Sequence, residues 1–230
     1  GQGMGDQDIA ATFANGKIWF KVPYSVKINI IGKRPNGITA KDIVLNLLSI
    51  FGANDLLGYS VEIYGEEISK LSLDERITIS SMATEMGAII LFFEPSDEII
   101  NYCKERCKID FEIIRADRDA NYDKIYDIDI SKFKKKISLP GHPHDTEDLD
   151  KLRGIRIDSA FIGSCTNGRM EDMRKVAQIL KGRKVKEGVM LKIVPATDEI
   201  WQQCLNEGII EIFKKAGALV SNAGCAGCAA

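Results

Sequence analysis

The chain has 230 residues, 45% of them hydrophobic, which is enough to bury a sizeable core. Its 31 Lys and Arg nearly balance 33 Asp and Glu for a net charge of −2, and the short run KFKKK (Lys132 to Lys136) reads as a solvated face, so nucleic acid is excluded as an expected partner. No apolar stretch approaches the roughly 18 residues of a bilayer span and no secretory signal is visible, so the expectation is a cytoplasmic protein with no membrane partner.

Strand-like and helix-like stretches alternate almost throughout. SVKINII (Ser25 to Ile31) alternates polar and apolar residues, as a half-buried strand does. In TAKDIVLNLLSIFG, Thr39 is a candidate N-cap with Asp42 three residues on, and Ile43, Val44, Leu47, Leu48 and Phe51 form a helical stripe. YSVEIY is a second strand. SLDERITISSMATEMG opens with Ser72 and Glu75 in capping-box register and closes at Gly87, which predicts one helix across 72–87. AIILFFE reads as a buried strand and SDEIINYCKERCK as a further helix. From Ile109 to Leu149 the pattern weakens into charged sequence punctuated by Pro140, Gly141 and Pro143, which suits a linker or crossing segment.

Regularity then returns. GIRIDSAFIG and VMLKIVPA are strands, RMEDMRKVAQILKG is a helix stopped by Gly182, TDEIWQQCLNEGIIEIFKKAG a helix stopped by Gly217, and ALVS a short last strand. Strand–helix–strand order with short connections means parallel strands and right-handed crossovers. The expected fold is α/β, with one part over 1–149 and a second over 150–230. Both ends of the sequence, GQGMGDQD and SNAGCAGCAA, read as cut, so a fragment of a longer chain is expected.

The six cysteines are Cys103, Cys107, Cys165, Cys204, Cys225 and Cys228. Without an export signal, metal binding or simple burial is a better account of them than disulfides. Cys165 falls just beyond the carboxyl end of one predicted strand, and Cys225 and Cys228 just beyond that of another. Ligands of open parallel sheets sit outside those ends, so the three thiols are expected at one edge. A structural zinc site closes with four protein ligands, and His142 and His144 lie in the irregular region. A [4Fe–4S] cluster also normally takes four cysteines. Three thiolates would leave one iron open for Lewis-acid chemistry, and the helix near Arg169 would aim its positive end at the same place. Taken singly, Cys165 could be a small buried hydrophobe, and Cys225/Cys228 a redox pair or half a zinc site.

GSCTNGRMEDM followed by NAGCAGC resembles the signature of the aconitase superfamily, in particular the large-subunit branch of 3-isopropylmalate dehydratase and homoaconitase. The resemblance extends over GQGMGDQDIAATFANGKIWFKVPYSVKINIIG and SKLSLDERITISSMATEMGA. It implies a three-layer α/β/α architecture with mainly parallel sheets. It implies that Cys165, Cys225 and Cys228 hold a [4Fe–4S] cluster whose fourth iron binds substrate. It also implies that Glu85 stands where the family carries a glutamate paired with a catalytic-site histidine. Ser81 occupies the family's usual asparagine position, and Ala226-Gly227 replaces its usual Gly-Pro between the paired cysteines. The implied activity is a hydro-lyase of leucine biosynthesis. It would convert 2-isopropylmalate to 3-isopropylmalate by dehydration and rehydration, with a separate small subunit carrying the swivelling domain as partner. Homocitrate and homoaconitate are the rival 2-hydroxy acid substrates; a zinc-stabilised structural module and a thiol redox protein are rivals of other kinds.

The remaining candidates read as structural. Cys103 and Cys107 share a helix face continuing from Ile99, which predicts packing; Cys204 should face the sheet; Trp19, Phe20 and Trp201 are expected in the core. His142, His144 and Asp145 form a polar loop, and GQGMGD lacks the preceding strand and following lysine of a phosphate cradle.

Overall fold

The computed structural model describes residues 3–225, and the backbone divides into two compact units, Gly1–Leu149 and Asp150–Ala230. In the first, helix α1 (Asp6–Asn15) precedes β1 (Ser25–Ile31), α2 (Ala40–Phe51), β2 (Ser60–Tyr64), α3 (Glu66–Ser69), α4 (Leu73–Ser81), β3 (Ile90–Phe93), α5 (Asp97–Arg106) and β4 (Lys124–Asp129). The four strands form one parallel sheet in the order β3-β2-β1-β4. Alternation along β1 buries Val26, Ile28 and Ile30 against Val44, Leu47, Leu48 and Ile79 of the helix layer. The intervening positions Lys27 and Asn29 are half-buried, and Phe92 and Ile125 of the flanking strands are exposed. A small antiparallel ribbon, β5 (Lys136–Ser138) with β6 (Thr146–Asp148), completes the unit.

Both predicted capping boxes form. The Thr39 and Ser72 amides donate to Asp42 Oδ2 (2.9 Å) and Glu75 Oε2 (3.1 Å), while the Asp42 and Glu75 amides donate back to the cap hydroxyls. The helix expected across 72–87 stops at Ser81, and a separate single turn, Thr84–Met86, follows. Gly87 has φ +76°, and a Cβ there would stand 2.4 Å from the Ala53 carbonyl oxygen. The region expected as a linker supplies β4, an edge strand paired with β1 and tied to it by Asn29 Nδ2 donating to Asp127 Oδ1 at 2.8 Å. Buried Asn46 anchors the next segment, donating to the Lys134 carbonyl and accepting from the Lys134 amide.

Three expectations of burial are corrected. Trp19 (89% exposed) and Phe20 stand in solvent, and Cys103 and Cys107 are exposed. Helix α5 buries Ile100 in its first turn, and every residue from Asn101 to Cys107 is exposed, so the thiols lie where the segment has run past the core.

The second unit runs β7 (Ser159–Gly163), α6 (Ser164–Asn167), α7 (Met170–Leu180), β8 (Met190–Val194), α8 (Asp198–Asn206), α9 (Ile209–Ala216) and β9 (Leu219–Val220). Its three strands are parallel in the order β7-β8-β9, so β8 is central. The single helix expected across 197–217 is broken at Gly208, whose φ of +71° ends α8 and starts α9. The two pieces still share one apolar layer: Ile200, Cys204, Ile209 and Phe213 pack with Met170, Met173, Ala177, Leu191 and Ile193. Cys204 is fully buried, its thiol donating to Met170 Sδ at 3.8 Å.

Candidate metal centre

The central strand of the second unit organises the cysteine loops. Gly163, the last residue of β7, lies opposite Val194, the last residue of β8. A Cβ on Gly163 would stand 1.9 Å from the Val194 carbonyl oxygen, and one on Gly168 would stand 2.6 Å from the same oxygen. Glycine at both ends of GSCTNG therefore lets this loop close directly over the end of β8. Between them Ser164 has φ +64°, the only positive value among the described non-glycine residues, and is buried. Strain of this kind costs about 1–3 kcal/mol and persists where surrounding structure over-determines it. Its consequence here is directional: the chain reverses at Ser164 and leaves Cys165 exposed on the following turn, with Thr166 and Asn167 half-buried beside it.

The second loop, Ser221 to Cys225, leaves the end of β9. The Ser221 amide donates to the Ile193 carbonyl (3.1 Å) and the Gly224 amide to the Pro195 carbonyl (3.0 Å). The first loop is fixed at the next residue, where the Ala196 amide donates to the Gly168 carbonyl (2.9 Å). Pro195 and Ala196, consecutive residues just past β8, thus hold both cysteine loops. Cys165 lies on one of those loops and Cys225, adjacent to Gly224, is exposed on the other. Cys228 lies outside the described residues.

The helix following the first loop contributes less field than the sequence suggests. Helix α7 carries Glu171 and Asp172 in its first turn, and the Asp172 carboxylate accepts from the Arg169 amide at 3.3 Å. Its positive end is therefore answered from within the helix. Beside the second loop lies a cavity of about 430 Å³ lined by Thr197, Asp198, Trp201, Asn222 and Gly224, among others. Trp201, expected in the core, is half-buried here, and its indole N–H donates to the Ser221 carbonyl at 3.2 Å.

Glu85 belongs to the first unit. It sits half-buried in the turn ahead of β3, at the amino end of that strand, and accepts from the Thr84 hydroxyl at 3.0 Å. None of the described cysteines is in a disulfide, and among the described residues no group of three His, Cys, Asp or Glu side chains could hold one ion. His142 and His144 stack at 5.2 Å between ring centroids.

The donors present are of the kind an iron–sulfur cluster would take: two exposed thiols on loops built from small residues. Sequence reasoning named the thiols as candidates and missed the Pro195–Ala196 stitch, the Ser164 reversal and the Trp201 tether. The glycines flanking Ser164 to Asn167 were the one available signal, because closely approaching backbones require them.

The sequence matches the aconitase family (aconitate hydratase) over residues 1–153 and 144–230. The chain belongs to the aconitase family. It is 44% identical over 227 residues to the 3-isopropylmalate dehydratase large subunit of Caldicellulosiruptor saccharolyticus, covering 98% of this chain and 53% of that protein. The protein of the same name from Acetivibrio thermocellus is 42% identical over 226 residues, covering 98% and 54%. The chain thus spans about half the length of the curated relatives it matches. The crystal structure of Thermococcus kodakaraensis aconitase X (holo-form) aligns with a TM-score of 0.49 at 14% identity, over 88% of this chain and 44% of that one. Among the described residues of this aconitase-family chain, no helix is long and apolar enough to cross a membrane.

Proposed function

We infer that this chain is the cluster-holding portion of a hydro-lyase large subunit that interconverts 2-isopropylmalate and 3-isopropylmalate. The single observation that carries the reading is the attachment of both cysteine loops to consecutive residues, Pro195 and Ala196, at the end of β8. The identity to dehydratase large subunits supports the substrate class.

Cys165, Cys225 and Cys228 are the proposed ligands of a [4Fe–4S] cluster. When bound by three protein thiolates, such a cluster supplies an open iron that acts as a Lewis acid on a hydroxyl leaving group. The residues of this chain have separate tasks. Gly163 and Gly168 allow the first loop to close on β8, and Ser164 turns Cys165 outward. Thr166 and Asn167 offer a hydroxyl and an amide beside that thiol. Glu85 is proposed to orient a histidine supplied by the remainder of the full-length protein. A separate small subunit, implied by the relatives' designation as large subunits, would complete the active site in the cytoplasm.

Anaerobic reconstitution followed by iron and sulfide determination, visible absorption and EPR tests the centre. Wild-type protein should take up close to one cluster per chain, and Cys165→Ser should lose it while the exposed-thiol control Cys103→Ser keeps it. Equal iron in the wild type and Cys165→Ser would refute the assignment, and stoichiometric zinc without iron would favour a structural zinc module. With the partner subunit present, turnover of isopropylmalate against homocitrate decides between the two substrates.

A further inference from the structure

We propose that Trp201 is a positioning residue for the Cys225 loop, acting through the hydrogen bond from its indole N–H to the Ser221 carbonyl. The part of this that concerns the cluster rests on Cys225 being a ligand; the part that concerns the loop does not.

The two cysteine loops are secured differently. The first is pinned by shape, since Gly163 and Gly168 abut the end of β8 so closely that a single added Cβ would collide with Val194. It is also short, running from β7 through the single turn of α6 into α7. Among the described residues the second has no such contact. A Cβ on Gly224 would meet nothing within 4 Å, although its φ is +132°. Strand β9 is only Leu219–Val220, so little ladder precedes the loop. Among the described residues its backbone is tied to the sheet at two points, the Ser221 amide on Ile193 and the Gly224 amide on Pro195. Between them the loop borders the cavity beside Trp201.

Trp201 is placed to restrain that free span. Thr197 caps α8, accepting from the Ile200 amide at 3.3 Å, and Ile200 is buried in the core of the unit. Trp201 is therefore in the first turn of a helix fixed at both its cap and its packing face, directly after Ala196. Its ring forms a wall of the cavity and its N–H reaches the Ser221 carbonyl. Ser221 is then held from both sides, amide to Ile193 and carbonyl to Trp201. Indole nitrogen is a donor only, so the bond has one polarity and no alternative tautomer. A bulky two-torsion side chain adds this restraint at low entropic cost, because few rotamers are lost. Loss of such a bond, net of water, raises the open population of a loop about five- to tenfold.

The test removes the N–H donor, and its second variant also keeps the bicyclic ring. Trp201→Phe is one variant. The second, in a Trp19→Phe background, carries the isosteric benzothiophene analogue of tryptophan at position 201, which lacks the N–H. Amide hydrogen exchange at Gly224 in the metal-free chain should accelerate about five- to tenfold in both, while Ala196, which secures the other loop, stays unchanged. Reconstituted variants should release iron to a chelator several-fold faster than wild type. Unchanged exchange at Gly224, or equal acceleration at Gly224 and Ala196, would overturn the proposal. Faster Gly224 exchange with unaltered iron release supports the tether and removes Cys225 from the ligand set. A wild-type chain that takes no cluster defeats the functional reading alone, since the exchange measurement still decides the role of Trp201.

Discussion

Replacing Gly163 with alanine tests whether the cysteine edge is built on backbone contact. The added Cβ would stand 1.9 Å from the Val194 carbonyl oxygen and 2.7 Å from its carbon, and φ there is +132°. The backbone conformation alone costs an L-residue about 1–3 kcal/mol. Forcing a methyl into a filled contact adds a further penalty of about 1–3 kcal/mol. Gly182→Ala separates the two terms: its φ is +73° but nothing stands within 4 Å of the new Cβ. That control should lose only about 1–2 kcal/mol. Tryptophan fluorescence in a Trp19→Phe background reports on the second unit alone, through Trp201. With a urea slope of about 2 kcal/mol per molar, Gly163→Ala should lower the midpoint by roughly 1–3 M and Gly182→Ala by less than about 1 M. Cys165 should become unable to bind iron in the first variant only. Coincident midpoints for the two variants would refute the reasoning, because backbone strain would then account for everything.

Arg76 is buried and donates to the carbonyls of Ser69 (3.1 Å), Leu71 (3.1 Å) and Glu94 (2.7 Å). Arg76→Met should destabilise the first unit by about 3 kcal/mol, read by thermal unfolding, because three inward-facing acceptors lose their donor; a loss below about 1 kcal/mol would show that water replaces it. Burial, with the Glu207 carboxylate adding to it, pushes the Cys204 thiol up to about 11 from its ordinary 9.0. The native state then holds the proton more tightly than the unfolded chain, so this contribution to stability is complete below pH 9 and is lost as pH rises towards 11. The stability difference between wild type and Cys204→Ala should therefore narrow across that window, and parallel profiles would contradict it. Thiol alkylation of the native chain near pH 8 should label Cys103 and Cys107 and spare Cys204.

What could be read from the sequence was local. Thr39 with Asp42 and Ser72 with Glu75 announced helix starts, because a cap and its reciprocal acceptor are three residues apart wherever the helix later packs. Gly208 carried a signal that was passed over: Ile209 is five residues after Cys204, about 140° round an unbroken helix, yet both lie in one core because the chain breaks between them. Strand β4 was taken for linker because an edge strand keeps its solvent side polar, as Asp127 does, while Ile125 is 60% exposed. The thiols of Cys103 and Cys107 lie at helical spacing and on the face of buried Ile100, yet spacing cannot say how far along a helix the core extends, and here it ends at Ile100. At the candidate centre the cysteines and glycines could be named in advance. The stitch at Pro195 and Ala196 could not, since it is made by main-chain groups that every residue possesses.

That stitch also explains why the rim of the second unit can carry a strained serine and two exposed thiols without loosening. Val194 closes a strand whose inward side chains, Leu191 and Ile193, lie in the core with fully buried Phe213. The residues that grip the cysteine loops are thus the direct continuation of the best-packed strand in the unit. Close-packed interiors deform little, so positions fixed to such a strand inherit its rigidity. Rigidity passes to the first loop through steric contact at Gly163 and Gly168 as well as the Ala196–Gly168 hydrogen bond, and to the second through hydrogen bonds at Ser221 and Gly224. Contacts of the first kind fail only when the sheet fails; those of the second kind open one by one. Among the described residues, the two proposed ligand loops are therefore secured to one strand by contacts of different kinds.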